Sequence, residues 1–126
     1  MARDFRTILA WQEADNLVIE VYKVTDSFPM EEKFGLTSQI RRATVSVAAN
    51  IAEGSGRNSL KDFLRFLYNV QGSLSEVEYY LHIANRLGFL DEDTLAQIET
   101  QRAKVGRLLH GFIKSIHTKI NVGETT

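Results

Sequence analysis

Apolar residues recur at intervals of three and four along four separate stretches of this 126-residue chain, and no stretch sustains a period of two. Spacings of three and four put side chains on one face of an α-helix, whereas a strand needs every second residue. A single proline, Pro29, stands in the whole sequence, so long helices meet little covalent obstacle. The pattern predicts an all-α protein.

The first helix is expected over about residues 7–27, with Ile8, Trp11, Ala14, Leu17, Val18, Val21 and Tyr22 facing inward. Phe28-Pro29 ends it, because the residue before proline is pushed out of the α region. Residues 30–34 read as a loop with Met30 and Phe34 as apolar anchors. The second helix, 36–53, turns Ile40, Ala43, Val47 and Ile51 inward and stops at Gly54, with 54–58 as a hinge. Ser59 followed by Asp62 suggests a capping box for the third helix, 59–87. Its stripe runs through Phe63, Phe66, Leu67, Val70, Leu74, Val77, Leu81 and Ala84 to a stop at Gly88. Asp91 caps the fourth helix, 91–118, with Leu90 and Leu95 as a hydrophobic staple and Ile98, Val105, Leu109, Phe112 and Ile116 inward. Residues 121–126 read as a frayed tail.

Short connections make consecutive helices antiparallel neighbours. The expected architecture is one domain, an up-down-up-down four-helix bundle whose third and fourth helices exceed the first and second. Fifteen Lys+Arg against sixteen Asp+Glu rule out a generally cationic nucleic-acid binder. The charge is segregated instead: residues 36–72 carry +3 and 101–120 carry +5, whereas 1–35 carry −3 and 73–100 carry −5. Neighbouring antiparallel helices of opposite sign favour assembly in this order. The absence of cysteine excludes disulfides, thiol chemistry and cysteine-based zinc sites. No apolar run reaches the roughly 18 residues of a membrane span, and the first residues do not begin a signal peptide. A cytoplasmic protein that makes no membrane contact is the expectation.

Enzyme motifs are missing where a helical bundle would carry them. A di-metal bundle site uses Glu-x-x-His pairs, and none of His82, His110 or His117 has a glutamate three residues before it. Glu78 and His82 stand four apart without a second copy. Gly54-Ser55-Gly56 lacks the Lys-Ser/Thr of a phosphate-binding loop. No metal, cofactor or small-molecule substrate is implied.

The unusual polar content lies in the second and third helices. Ser46, Asn50 and Glu53 form a polar stripe, and Gly72-Ser73 sits in mid-helix, where glycine costs about 1 kcal/mol against alanine. Such a glycine suggests close helix approach. A hairpin turning near residues 56–57 places Arg41 and Arg42 opposite Gly72 and Gln71, with Glu76 one turn away as an ion-pair partner. This cluster reads first as interhelical packing and second as a ligand or catalytic site. Arg57, Lys61 and Arg65 form a candidate nucleic-acid patch, with further cations on the fourth helix at Arg102, Lys104, Arg107, Lys114 and Lys119; phosphate contact and a solvated helix face both explain them. In the same register the second helix leaves Tyr79, Tyr80, Leu81, Ile83, Ala84 and Leu87 uncovered, a patch of the kind that marks an interaction surface. Tyr79, Tyr80 and Ile83 are its candidate contacts.

Several of these strings resemble one family. Gly35-Leu36-Thr37-Ser38-Gln39-Ile40-Arg41-Arg42-Ala43, Ser46-Val47-Ala48-Ala49-Asn50-Ile51-Ala52-Glu53-Gly54 and Gly72-Ser73-Leu74-Ser75-Glu76 are similar to motifs of the bacterial four-helix-bundle proteins encoded by intervening sequences in 23S ribosomal RNA genes. The likeness runs from about Trp11 to Leu90. It implies a homo-oligomeric, pentameric bundle, with a ribosomal RNA connection that rests on gene location. It also implies kinship with the accessory protein of diversity-generating retroelements, a pentamer that works with a reverse transcriptase and nucleic acid. The family supplies no catalytic residues, so Asn50, Glu53, Gly54, Gly72, Ser73 and Glu76 carry over as signature positions only. The expected function is a non-enzymatic oligomeric module with a nucleic-acid or nucleoprotein partner. A protein-binding scaffold and an enzyme built on Ser46, Asn50, Glu53 and Glu76 are the rivals.

Overall fold

The computed structural model describes residues 3–126. Four helices follow one another: α1 (Leu9–Thr25), α2 (Leu36–Ser55), α3 (Leu60–Arg86) and α4 (Glu92–Asn121), with 3-10 turns at Phe5–Thr7 and Met30–Glu32. Among the described residues there is no strand. The last two helices have 27 and 30 residues against 17 and 20 for the first two. Each helix packs on its chain neighbours, α4 returns to α1, and the diagonal pairs stand apart. The chain is the up-down-up-down bundle that the periodicity predicts.

The core follows the three-and-four spacing. Ala10, Ala14, Leu17 and Val21 of α1 meet Ile40, Val47 and Ile51 of α2 in one buried cluster. Phe63, Leu67, Val70, Leu74, Val77 and Leu81 continue it along α3, and Ile98, Val105, Leu109, Ile113 and Ile116 close it from α4. Tyr22 is exposed rather than inward, at the edge of the α1 stripe. Among the described residues no helix is long and apolar enough to cross a membrane.

The caps explain where the helices begin and end. Ser59 Oγ accepts from the Asp62 N–H at 3.1 Å, and Asp91 Oδ1 accepts from the Thr94 N–H at 2.8 Å. Gly88, at φ +80°, closes α3, with the Phe89 N–H returning to the Ala84 carbonyl. Gly54 does not end α2; the helix runs on to Ser55 and is capped at Gly56.

Two loop expectations are corrected. Met30 and Phe34 are not anchors: both lie at the surface, and Phe34 is 89% exposed. The connection is held by Phe28, buried against Phe89, and by Glu32, whose carboxylate accepts from the Leu36 N–H at 3.0 Å. The tail is also not frayed throughout. After α4 the chain turns at Gly123, and the Thr125 carbonyl accepts from the Leu60 N–H at 2.8 Å, satisfying an otherwise orphaned donor at the start of α3.

Candidate functional site

The α2–α3 seam brings the signature positions together in a register different from the expected one. Ser46 Oγ lies 2.9 Å from Ser73 Oγ, so the hairpin reverses near residues 59–60. The continuation of α2 through Gly54 and Ser55 causes the shift. Asn50 Nδ2 donates to the Ser46 carbonyl at 2.8 Å and to Ser46 Oγ at 2.9 Å. Asn50, Ser46 and Ser73 therefore form a hydrogen-bonded chain across two helices, which Glu53 does not join.

The arginines divide between two faces. Arg41 turns to α1, where its Nε donates to Thr25 Oγ1 at 2.8 Å and its guanidinium lies 4.5 Å from the Tyr22 ring centroid. The expected Arg41–Glu76 pair does not form, because Arg41 is on the wrong side of α2. Arg42 and Glu76 do share a groove of about 380 Å³ with Gln39, Ala43, Ser46 and Ser73, yet no ion pair joins them. Glu76 accepts instead from the Tyr80 hydroxyl at 3.3 Å. Desolvation, followed by the bond and charge of Glu76, holds the Tyr80 hydroxyl above its ordinary pKa.

Neither glycine plays its expected role. A Cβ on Gly72 would meet nothing within 4 Å, so no other helix of the chain approaches there. The close approach is at Gly54, beneath Phe63 and Phe66 of α3. Its sequence signal was a glycine followed at once by the polar turn Ser55–Asn58, which mimics a helix stop.

The hairpin end neutralises two of the three nucleic-acid candidates. Arg57 lies 3.0 Å from Glu53 and 3.7 Å from Asp62, and Arg65 binds the same Asp62 carboxylate at 2.8 Å. Both guanidinium groups cover the Phe66 ring, at 4.6 Å and 4.8 Å. Arg3 adds a strap: it donates to the Ser55 and Arg57 carbonyls and lies over Phe63. Lys61 is exposed and takes part in no ion pair among the described residues.

A different basic surface runs along α4. Arg102, its side chain only 14% exposed, binds Glu99 at 2.9 Å and Glu78 at 3.0 Å, and Lys104 binds Glu13 at 3.3 Å. Arg107, His110, Lys114 and His117 recur at intervals of three, four and three, all exposed, along about 15 Å of helix. No acid falls between residues 100 and 120. His117 Nε2 lies 2.8 Å from the hydroxyl of the exposed Tyr68 on α3. The sequence reading took up His110 and His117 only as metal ligands and did not single out Tyr68, because only packing of α3 on α4 puts them on one surface.

The aromatic patch at the far end of α3 is smaller than the expected register implies. With the hairpin reversed later, α2 reaches further along α3. Leu81 and Ala84 are buried, Tyr80 and Ile83 half-buried, and Tyr79 and Leu87 remain 58% and 57% exposed. Tyr79 contacts Tyr80 and His82, with centroids 6.1 Å and 6.3 Å apart.

Comparison with known proteins places this architecture. A crystal structure of a protein with unknown function from the S23 ribosomal protein family of Bacteroides thetaiotaomicron superposes with a TM-score of 0.75 at 23% identity, covering 84% of this chain and 99% of that one. At that identity the likeness shows the shared fold. No curated protein matches the chain. The sequence profile of the 23S rRNA-intervening sequence protein matches residues 6–111, which takes in all of α1, α2 and α3 and most of α4. This four-helix chain belongs to the 23S rRNA-intervening sequence protein family.

Proposed function

We propose that this chain is a non-enzymatic, self-associating module, pentameric as its family resemblance implies, that contacts nucleic acid or a nucleoprotein partner through the basic face of α4. The observation that carries the reading is the exposed stripe Arg107, His110, Lys114 and His117 beside Tyr68, in a stretch without acids. Unpaired cations release counterions when they meet phosphates, and an exposed aromatic ring offers a base a stacking surface. Arg57 and Arg65 are less suited to this role, since Glu53 and Asp62 already hold them.

The test is a salt titration of single-stranded RNA binding. Replacing Arg107 and Lys114 by serine should flatten the log–log slope by about 1.4 units, at about 0.7 per phosphate contact. Replacing Arg57 and Arg65 by serine should leave the slope in place. An unchanged slope in the α4 variant, or a parent that binds no RNA at low salt, would favour a purely protein-binding scaffold.

A further inference from the structure

Hydrogen-bond accounting at the α2–α3 groove leaves one proton over. The Ser46 and Ser73 hydroxyls carry two hydrogens, and a single 2.9 Å bond joins their oxygens. The other partner of Ser46 Oγ is Asn50 Nδ2, which is itself a donor, held in that orientation by its second bond to the Ser46 carbonyl. Whichever serine donates to the other, one hydroxyl hydrogen has no acceptor among the described residues. Ser73 is only 8% exposed, Ser46 is half-buried, and both line the groove, so on either serine this donor sits at its floor.

The groove walls carry the two charges that fail to pair. Arg42 and Glu76 line the same space of about 380 Å³, at the small end of the range for small-molecule sites, without coming within ion-pair distance of each other. A floor donor beside a guanidinium suits a carboxylate. A plain anion would also face Glu76 and be repelled by it. A ligand with a carboxylate at one end and an ammonium at the other satisfies all three groups.

We propose that the groove between α2 and α3 at Ser46 and Ser73 binds a compact zwitterion of the amino-acid class. Its carboxylate lies between Arg42 and the spare hydroxyl hydrogen, and its ammonium lies on Glu76. The site is separate from the basic face of α4, and it stands whether or not that face binds nucleic acid.

The experiment is a titration of the 15N-labelled protein, at constant ionic strength, with glycine, β-alanine and γ-aminobutyrate, which separate the two charges by successively one more carbon. Acetate and methylammonium serve as half-ligands. At least one zwitterion should saturate, with shifts centred on the amides of Arg42, Ser46, Ser73 and Glu76, and bind about tenfold or more tightly than either half-ligand. Arg42→Met and Glu76→Gln alter exposed side chains, leave the fold intact, and should each weaken binding by about tenfold. Three outcomes would each overturn the proposal: no zwitterion saturates, acetate binds as well as the zwitterions, or the shifts persist unchanged in both variants.

Discussion

Gly54 of α2 lies so close to Phe66 of α3 that a Cβ built on the glycine would stand 2.7 Å from the phenylalanine Cβ. The Phe63 ring is 2.9 Å from the same point. A Cβ next to a helix backbone cannot swing away, so any side chain here must push the two helices apart. Gly54→Ala should therefore destabilise the fold by about 1–3 kcal/mol. Gly72→Ala should do the reverse and stabilise the isolated chain by up to about 1 kcal/mol, since its Cβ enters open space within a regular helix. Urea denaturation of the two variants checks the pair, and the same sign in both would contradict the register.

Glu76 carries little of the stability that an Arg41 or Arg42 ion pair would have supplied. It is exposed and bonded only to Tyr80. Glu76→Ala should change the unfolding free energy by no more than about 0.5 kcal/mol. Arg41→Met should cost about 1 kcal/mol, because it removes the bond to the buried Thr25 hydroxyl and the cation over Tyr22. Equal effects from the two variants in thermal melts would count against the division of the arginines between two faces.

Asp91 gives the fold an acid-range dependence. Its carboxylate accepts from the Thr94 N–H at the start of α4, and that bond holds its pKa below the ordinary value of 3.8. A carboxyl with a depressed folded-state pKa contributes stability above the unfolded value and loses it as pH falls through the folded one. The loss should therefore begin below about pH 4 and deepen with further acidification. Asp91→Asn keeps a capping side chain that does not titrate. Its stability should fall less steeply than the parent's in that window, as followed by helical circular dichroism against urea at successive pH values. Parallel curves would show that the cap does not titrate as described.

Self-association should depend on the end of α3 that the bundle leaves bare. Tyr79 and Leu87 are exposed there, with Ile83 half-buried between them. Light scattering of the parent should give about five times the 14.3 kDa chain mass, and Tyr79→Asp with Leu87→Asp should lower it. Tyr80 is a poorer choice than the sequence suggested, because its ring packs against the core and its replacement would test folding instead. A parent that runs as a monodisperse 14.3 kDa species would remove the assembly from the proposed function.

The sequence by itself determined the helices, their order and most of the core. The stripes of Phe63, Leu67, Val70, Leu74, Val77 and Leu81 on α3 and of Ile98, Val105, Leu109 and Ile116 on α4 are written in a local period, and one face of one helix is a local property. The caps at Ser59 and Asp91 and the stop at Gly88 were legible for the same reason, since each involves residues within one turn. What only the tertiary structure decided is how the helices slide along one another. Whether Gly54 ends α2 or lies under Phe66 depends on a contact between two helices, and that one contact moves the whole α2–α3 register. It joins Ser46 to Ser73 across the seam. The charges divide in the same way. Glu53 and Asp62 bind Arg57 and Arg65 from three or four residues away in sequence, whereas only the packing of α3 on α4 brings Glu78 to Arg102. Arg107 and Lys114 take part in no ion pair among the described residues.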